Sequence, residues 1–391
     1  MSHIRFRSCF SSLFFIVALV SILLLAGGCG SREFRMGGLI SLSGAAEPYG
    51  VMVTMGMDLA VEEVNGAGGV EGRKIVILYK DDSTNIGVGV TAAKELIIKE
   101  RVPVIIGPIA SSVSLAVAPI CESYRKVMLS PASSTPKLTG AGMFIFRNYP
   151  SDVVEGTFTA DFAREQGIEK VVVIAINNEF GNGIKDVFIK QFRSKFREIL
   201  KVFSYQEETF DRFPAIIAET KELKPEAIYL CGYARDMAML LKEIRNQKIE
   251  SLIFCVSAVN RKMVDIAAGA AEGVMFPQPA FDLGSSEPAM ASFVQRFRKK
   301  YSKDPDNFAA HGYDAVKLIA EAVKKVKSTH PEDIRTGLMA INNYEGAAGR
   351  TTFDNNGDVV QHPRIFVIHN GRFVQFDKYI QEVGSIKIPE R

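Results

Sequence analysis

Histidine and cysteine, the usual metal ligands and nucleophiles, are scarce in this sequence of 391 residues, which contains five of each. No two histidines show HxxxH or HExxH spacing, and no cysteine lies in a CxxC or CxxH pattern. The sequence also lacks GxGxxG after a strand, the P-loop pattern and the GxSxG elbow. These absences indicate no metal site and no cofactor, and nothing here points to an enzyme.

Few cysteines remain for disulfides once Cys9 and Cys29 are assigned to the N-terminal segment considered below. The remaining three are Cys121, Cys231 and Cys255, and an odd count argues against a disulfide framework. Cys231 and Cys255 each end a predicted strand. They are therefore either bonded neighbours or buried free thiols.

An excess of charge of one sign is also missing. There are 47 Lys and Arg against 44 Asp and Glu, a net charge of +3, and the basic residues form no long stripe. Nucleic acid is therefore not an expected partner. With 47% hydrophobic and 23% charged residues the chain is globular, and at roughly 150 residues per domain it holds two to three units.

The N-terminal residues have the pattern of an export signal. Arg5 and Arg7 precede an apolar run at residues 13–26, which is followed by Gly27, Gly28 and Cys29. The run is shorter than the ~20 residues of a membrane-spanning helix, although a plain N-terminal anchor is the alternative. The small residues before Cys29 resemble a bacterial lipobox, in which this cysteine is lipidated. We expect residues 1–28 to be a signal peptide and 29–33 a tether to the membrane, with the protein periplasmic or on the cell surface.

Apolar runs of strand length alternate with segments of helical period along the rest of the chain, which is typical of βαβ units and parallel sheets. The alternation restarts after Pro150, so the sequence predicts an α/β protein with two doubly wound parallel-sheet units. Asn370-Gly371 predicts a hairpin turn. Helices are predicted near Val51–Val64, Val88–Lys99, Val113–Ser123, Gly183–Phe196, Met237–Gln247, Ala289–Tyr301 and His311–Val326.

The two units repeat one feature. A polar loop and an aromatic–glycine pair, Tyr49-Gly50 or Phe180-Gly181, follow the first strand of each. Ligands of open α/β sheets bind beyond the carboxyl ends of strands, so both aromatic residues are expected at one cleft. Packing within the loop is the alternative role for each ring.

Two hydroxyl-rich loops also follow strands. Ser111 and Ser112 come directly before a predicted helix, and Ser133 and Ser134 follow the next strand. A serine at a helix start can cap the free amides. The same amides and hydroxyls can instead hold an anion. Neither role is decided by one loop alone, but two converging loops favour a ligand site.

The chain resembles the type I periplasmic solute-binding proteins, in the leucine/isoleucine/valine-binding branch of ABC importers, from Phe34 to about Phe376. The resembling motifs are GGLISLSGAAEPYG, EEVNGAGGVEGRKIVILYKDD, VIIGPIASSVSLAVAPI, MLSPASSTPKLT, FIFRNYPSD, NNEFGNG and HGYDAVKLIAEAV. The resemblance implies two lobes joined by three crossing strands. Lobe 1 would hold residues 34–148 and 277–358, and lobe 2 residues 149–276 and 359–391.

The resemblance also implies the roles of individual residues. Ser111 and Ser134 match hydroxyls that bind a ligand carboxylate, and Ser133 a residue that contributes backbone. Asp152 matches an acid that helps to hold an α-ammonium group. The acid that follows a strand in amino-acid binders is replaced here by Ala258, so the sequence leaves open whether the solute carries an α-amino group. The aromatic positions that line the cleft match Tyr49, Phe180 and Tyr233.

We therefore expect a monomeric, lipid-anchored solute-binding protein that presents an amino acid or related carboxylate to ABC permease subunits. A ligand sensor of the same fold, signalling to a partner, is the alternative function. An exported enzyme would need an acid–base pair in the cleft, and Asp152 has no evident His or Lys partner.

Overall fold

The computed structural model of the protein describes residues 33–194, 197–207, 209–279 and 281–385. The predicted signal peptide and the lipidation site Cys29 lie outside these residues. So do residues 29–32 of the predicted tether, the predicted helix end at Phe196 and residues 386–391.

Short runs rich in Val, Ile and Leu form a first sheet in which every pair of neighbouring strands is parallel. Its strands are β1 (Glu33–Ile40), β2 (Lys74–Asp81), β3 (Val104–Ile106), β4 (Val127–Ser130) and β5 (Ile145–Arg147), in the order β2-β1-β3-β4-β5. They are connected by α1 (Glu47–Gly66), α2 (Ile86–Lys94), a π-helical turn (Glu95–Lys99) and α3 (Ser111–Ser123). The central strands β3 and β4 are buried at every residue, because helices cover both faces of a parallel sheet.

The second sheet has seven strands and a mixed edge. Its parallel part contains β6 (Lys170–Ile176), β7 (Glu198–Tyr205), β8 (Ala227–Cys231), β9 (Leu252–Cys255) and β10 (Met275–Gln278). The antiparallel strands β13 (Arg364–His369) and β14 (Arg372–Gln375) complete the order β14-β13-β10-β9-β8-β6-β7. Its helices are α4 (Asp152–Glu165), α5 (Glu179–Arg193), α6 (Phe213–Leu223), α7 (Ala234–Asn246), α8 (Arg261–Ala267) and α12 (Phe376–Val383). The expected α/β architecture with two sheets is confirmed.

Within the described residues the chain passes between the sheets three times, at residues 148–151, 281–287 and 352–363. After the second crossing it returns to the first sheet and forms α9 (Pro288–Tyr301), α10 (Asn307–Val326), α11 (Pro331–Met339) and the hairpin of β11 (Tyr344–Gly346) and β12 (Gly349–Thr351). Tyrosine hydroxyls of α9 and α10 form hydrogen bonds with α1. Tyr301 donates to the Met55 carbonyl at 2.8 Å, and Tyr313 donates to Glu63 at 2.7 Å.

A buried arginine ties the crossing segments to the first sheet. Arg147, at the end of β5, is fully buried. Its Nη2 donates to Asp358 at 2.7 Å and its Nε lies 2.7 Å from the other carboxylate oxygen. The same guanidinium donates to the Thr135 carbonyl and to the Thr139 hydroxyl. One side chain therefore holds the third crossing and the second hydroxyl-rich loop in place.

Several helices begin earlier than the sequence predicts. Tyr49-Gly50 and Phe180-Gly181 were expected in loops, but both lie in the first turns of α1 and α5. The glycines allow each first turn to pack on the end of the preceding strand. A β-carbon would lie 1.9 Å from the Ser41 carbonyl oxygen at Gly50, and 2.1 Å from the Ile176 oxygen at Gly181. The repeated feature of the two units is thus a helix start rather than a loop.

The hairpin prediction is confirmed. His369 pairs with Arg372 across the turn, and Asn370 and Gly371 both adopt positive φ, 52° and 68°. Cys121, Cys231 and Cys255 are buried free thiols. In the described part of the chain, no helix is long and apolar enough to cross a membrane, and no cluster of His, Cys, Asp and Glu could hold a metal ion.

Candidate functional site

A cavity of about 390 Å³, mouth included, lies between the two sheets, where segments that follow the strands of both converge. Among the predicted site residues, those on its wall are Tyr49, Ser111, Ser134, Phe180, Tyr233 and Ala258. The predicted residues away from its wall are Ser112, Ser133 and Asp152. The wall also contains residues that the sequence did not indicate, namely Ala46, Ile109, Ala110, Ala132, Tyr149, Ser257 and Phe308.

Ser111 and Ser134 bring hydroxyls to one wall of the cavity. The N-cap of α3 is Ala110, which has extended backbone, so Ser111 is the first helical residue rather than the cap. The Ser111 side chain hydrogen-bonds to no other residue in the described part of the chain. The amide of Ser111, the first residue of α3, has no acceptor within the helix, and Ser111 lies on the wall of the cavity. This wall therefore offers hydrogen-bond donors.

Ser133 joins the two hydroxyl-rich loops instead of facing the cavity. Its Oγ lies 2.5 Å from Ser114 Oγ and donates to the Ile109 carbonyl at 3.1 Å. Its amide donates to Ser130 Oγ at 2.9 Å. Ser133 is thereby buried on the side of the loops away from the ligand space, and Ala132 takes the place on the wall.

Two contacts close the cavity at the helix α5. The amide of Glu179 donates to Ser112 Oγ at 3.4 Å, and Lys137 forms an ion pair of 2.8 Å with the Glu179 carboxylate. Ser112 and Lys137 belong to the segments of the first sheet, whereas Glu179 belongs to the second. The described conformation therefore has its two sides in contact.

Aromatic rings form most of the remaining wall. Phe180 and Tyr233 stack with centroids 5.6 Å apart, and Tyr149 stacks on Phe308 at the same distance. Tyr49 lies 4.8 Å from Phe308 and 6.0 Å from Tyr233. These five rings enclose an apolar space that suits a branched or aromatic side chain.

The Tyr49 hydroxyl bridges the cleft through two hydrogen bonds within the protein. It accepts a hydrogen bond from the Ala234 amide at 2.7 Å and donates to the Ala258 carbonyl at 3.0 Å. The ring, but no free hydroxyl proton, thus faces the ligand space.

Asp152 is buried behind the wall rather than on it. Neither carboxylate oxygen has a hydrogen-bond partner within the described residues. Burial, and after it the neighbouring Glu155, raises the pKa of Asp152 well above its usual value, and the nearby Ser134 hydroxyl and Arg147 lower it only in part. Asp152 is therefore harder to ionise than a free carboxyl group, and its position behind the wall keeps it out of direct contact with a ligand.

Glu155, one turn further along α4, is a buried acid that sequence reasoning missed. Its two oxygens accept the amide of Ser257, at 2.8 Å, and the Ser257 hydroxyl. Burial raises the pKa of Glu155 to about 7, although the hydrogen bonds from Ser257 oppose the shift. Its spacing of three residues from Asp152 was the available signal, because it puts both acids in the first turn of one helix.

A family model for periplasmic binding proteins matches residues 33–376. The chain is 27% identical over 323 residues to the leucine-, isoleucine-, valine-, threonine- and alanine-binding protein of Pseudomonas aeruginosa, covering 81% of this chain and 85% of that protein. The leucine-binding protein LivK from Thermotoga maritima is similar in structure, with a TM-score of 0.82 and 28% identity over 87% of this chain and 97% of that one. A solute-binding protein from R. palustris in complex with benzoate shares the fold, with a TM-score of 0.82 and 22% identity, over 88% and 95% of the two chains.

Proposed function

The chain belongs to the type I periplasmic binding protein family, as a solute-binding protein of the branched-chain amino acid transporter branch, and we propose that it binds a small carboxylate in the cavity between its sheets. As an exported lipoprotein it then presents this solute to the permease subunits of an ABC importer. The observation that carries the proposal is a cavity with two serine hydroxyls and a helix N-terminus on one wall and aromatic rings around the rest.

We take the lobes that close on the solute to be those expected from the sequence, residues 34–148 with 277–358 and residues 149–276 with 359–391. Sheet membership supports this division except at Pro277 and Gln278, which belong to β10 of the second sheet. Every strand of the first sheet ends by Arg147, and the helices after the second crossing pack on α1. The solute stabilises the closed arrangement by the contacts it makes with both sides.

A carboxylate fits this wall because the hydroxyls of Ser111 and Ser134 and the Ser111 amide at the start of α3 can all donate to it. No Lys or Arg side chain is among the described residues on the wall. Dipoles and hydroxyls therefore hold the anion, rather than a point charge.

An α-ammonium group finds no ionised acid on the wall. Ala258 is apolar, Asp152 lies behind the wall, and Glu155 has both oxygens engaged by Ser257. Burying an unpaired ammonium costs several kcal/mol. The proposed solute is accordingly an acid that lacks the ammonium group, with a branched or aromatic body.

Calorimetry with leucine, 4-methylpentanoate and phenylacetate tests the ligand class. One or both of the ammonium-free acids are expected to bind at least tenfold more tightly than leucine. An Ala258→Glu variant, which adds an acid to the wall, is expected to shift this preference toward leucine. Micromolar binding of leucine by the wild type, without binding of the other two acids, would contradict the proposal. Mass spectrometry of the small molecule released from the purified protein identifies the natural solute independently.

Cys29→Ser is expected to abolish lipid attachment and to leave unprocessed precursor. The basis is Arg5 and Arg7, the apolar run and the small residues before Cys29. Metabolic labelling with a radioactive fatty acid, together with fractionation of membranes, measures the effect, and Cys121→Ser is the control that keeps the label. A soluble wild-type protein with an unmodified N-terminus would refute the lipid anchor.

A further inference from the structure

The hydrogen bonds between Tyr149, Ser257 and Glu155 all run toward the carboxylate of Glu155, which lies behind the cavity wall. The Tyr149 hydroxyl donates to Ser257 Oγ at 3.0 Å, and the Ser257 hydroxyl donates to Glu155. The Ser257 amide donates to the other oxygen of the same carboxylate. Above the pKa of about 7, Glu155 is ionised and only accepts hydrogen bonds, so it then dictates where both hydroxyl protons point.

With both protons used in this way, Ser257 and Tyr149 can offer a ligand only oxygen lone pairs. Both residues lie on the cavity wall, whereas Glu155 does not. Ser111 and Ser134 also lie on the cavity wall, and their hydroxyls can donate to a ligand. The cavity thus has a donor wall and an acceptor wall, and a solute that satisfies both needs an acceptor at one end and a donor at the other.

We propose that Glu155 determines specificity by orienting Ser257 as an acceptor, so that the solute is a hydroxy acid, bound in preference to the corresponding oxo acid. This inference rests on the proposed carboxylate-binding function. A hydroxyl supplies the donor that Ser257 requires without bringing a charge. An oxo group would set its oxygen against the lone pairs of Ser257, and such a mismatch of buried polar groups is strongly unfavourable.

Substitution of Glu155 by glutamine provides a direct test because it reverses the direction of the hydrogen bond. The carbonyl oxygen of the substituted side chain can still accept the Ser257 amide, but its NH₂ group then donates to Ser257 Oγ. The Ser257 proton is released toward the ligand space, and the acceptor wall gains a donor.

Two pairs of acids serve as probes, so that aliphatic and aromatic bodies are both covered. They are 2-hydroxy-4-methylpentanoate with 4-methyl-2-oxopentanoate, and 2-hydroxy-3-phenylpropanoate with 2-oxo-3-phenylpropanoate. Calorimetry of the ligand-free protein at pH 8.5, where Glu155 is ionised, is expected to give at least tenfold tighter binding of the hydroxy acid within the pair that fits. In Glu155→Gln this ratio is expected to fall below about three or to invert, as the loss of one hydrogen bond to a buried group implies.

Matched variants separate this orientation effect from damage to the fold. Glu165→Gln makes the same chemical change at an exposed position of the same helix and should leave the ratio unchanged. Ser257→Ala removes the hydroxyl that Glu155 orients and should bring the two acids to within about threefold, which keeps the test valid if Glu155→Gln does not fold.

Lowering the pH gives a second readout on the unmodified protein. At pH 5.5 a neutral Glu155 can itself donate to Ser257, so the preference for the hydroxy acid should shrink. Among the described residues, the titratable groups that interact with Glu155 are Asp152 on its own helix, Tyr149 from the first crossing, and Tyr229 and Cys231 from β8. Burial raises the pKa of all four groups. Tyr149, Tyr229 and Cys231 therefore stay neutral between pH 5.5 and 8.5, and Asp152→Asn is the control for titration of Asp152.

Equal binding of the two acids by the wild type, or an unchanged ratio in Glu155→Gln, would overturn the role of Glu155 while leaving the proposed function intact. Failure of all four acids, with 4-methylpentanoate or phenylacetate still bound, would likewise overturn only this inference, whereas failure of all six would overturn the proposed function as well, because no carboxylate would then be recognised. Binding that depends on Ser134 but not on Glu155 marks the first of these cases.

Discussion

Replacing Arg147 with leucine is expected to lower the free energy of unfolding by about 3–5 kcal/mol. The guanidinium is completely buried and pairs with Asp358, whose side chain is only 12% exposed. Removing it leaves a buried carboxylate without its cation and removes the hydrogen bonds to Thr135 and Thr139. Urea unfolding of the ligand-free protein, followed by circular dichroism, measures the loss.

Two variants distinguish the buried pair from a general effect of charge. Arg147→Lys keeps the charge but cannot form the forked contact with Asp358, so its loss should be intermediate. Arg125→Gln breaks a surface ion pair with Glu332. The side chains of Arg125 and Glu332 are 59% and 47% exposed, so this variant should lower the free energy of unfolding by less than about 1 kcal/mol. Replacing Asp358 by leucine together with Arg147 should restore part of the stability, since no buried charge is then left alone. A single Arg147→Leu variant as stable as the wild type would show that the pair does not hold the crossing.

The alternation of apolar and amphipathic segments predicted the two sheets well, because each parallel strand is apolar on both faces and leaves a clear run in the sequence. The helix starts were predicted too late. The first turns of α1, α5 and α10 contain Tyr49, Phe180 and Phe308, which face a cleft rather than a continuous core. Apolar residues in these turns therefore do not recur with the helical spacing of residues that face a core. Close packing through Gly50 and Gly181 is a tertiary effect that no local pattern reports.

The candidate site was predicted where residues directly follow strands, as Ser111 and Ser134 do. It was missed where a side chain reaches the cavity from a distant segment. Tyr149 comes from a crossing and Phe308 from a helix that returns after the second crossing, so their proximity depends on how the lobes are joined. Glu155 was missed for a different reason. It acts through Ser257, a contact between residues about a hundred positions apart, which sequence spacing does not reveal.

Replacing both Ser111 and Ser134 with alanine is expected to weaken binding of the solute by at least about a hundredfold. Hydrogen bonds to a charged group contribute roughly 1.5–3 kcal/mol each, and the cavity offers no cation among the described residues to compensate. Each single variant should lose about tenfold or more. The melting temperature of the ligand-free protein should change little, because the Ser111 hydroxyl caps no helix and Ser134 lies at the wall of an open space.

Two other serines provide the controls that separate binding from stability. Ser133→Ala removes the hydroxyl that joins the loops through Ser114 and the Ile109 carbonyl, so it should lower the melting temperature of the ligand-free protein. Ser123→Ala removes an exposed hydroxyl at the far end of α3 and should alter neither quantity. Calorimetry and thermal unfolding of the wild type, the double variant, Ser133→Ala and Ser123→Ala measure the two effects separately. If the double variant loses stability without ligand as much as Ser133→Ala does, then Ser111 and Ser134 hold the loops together, and the solute is bound by other groups.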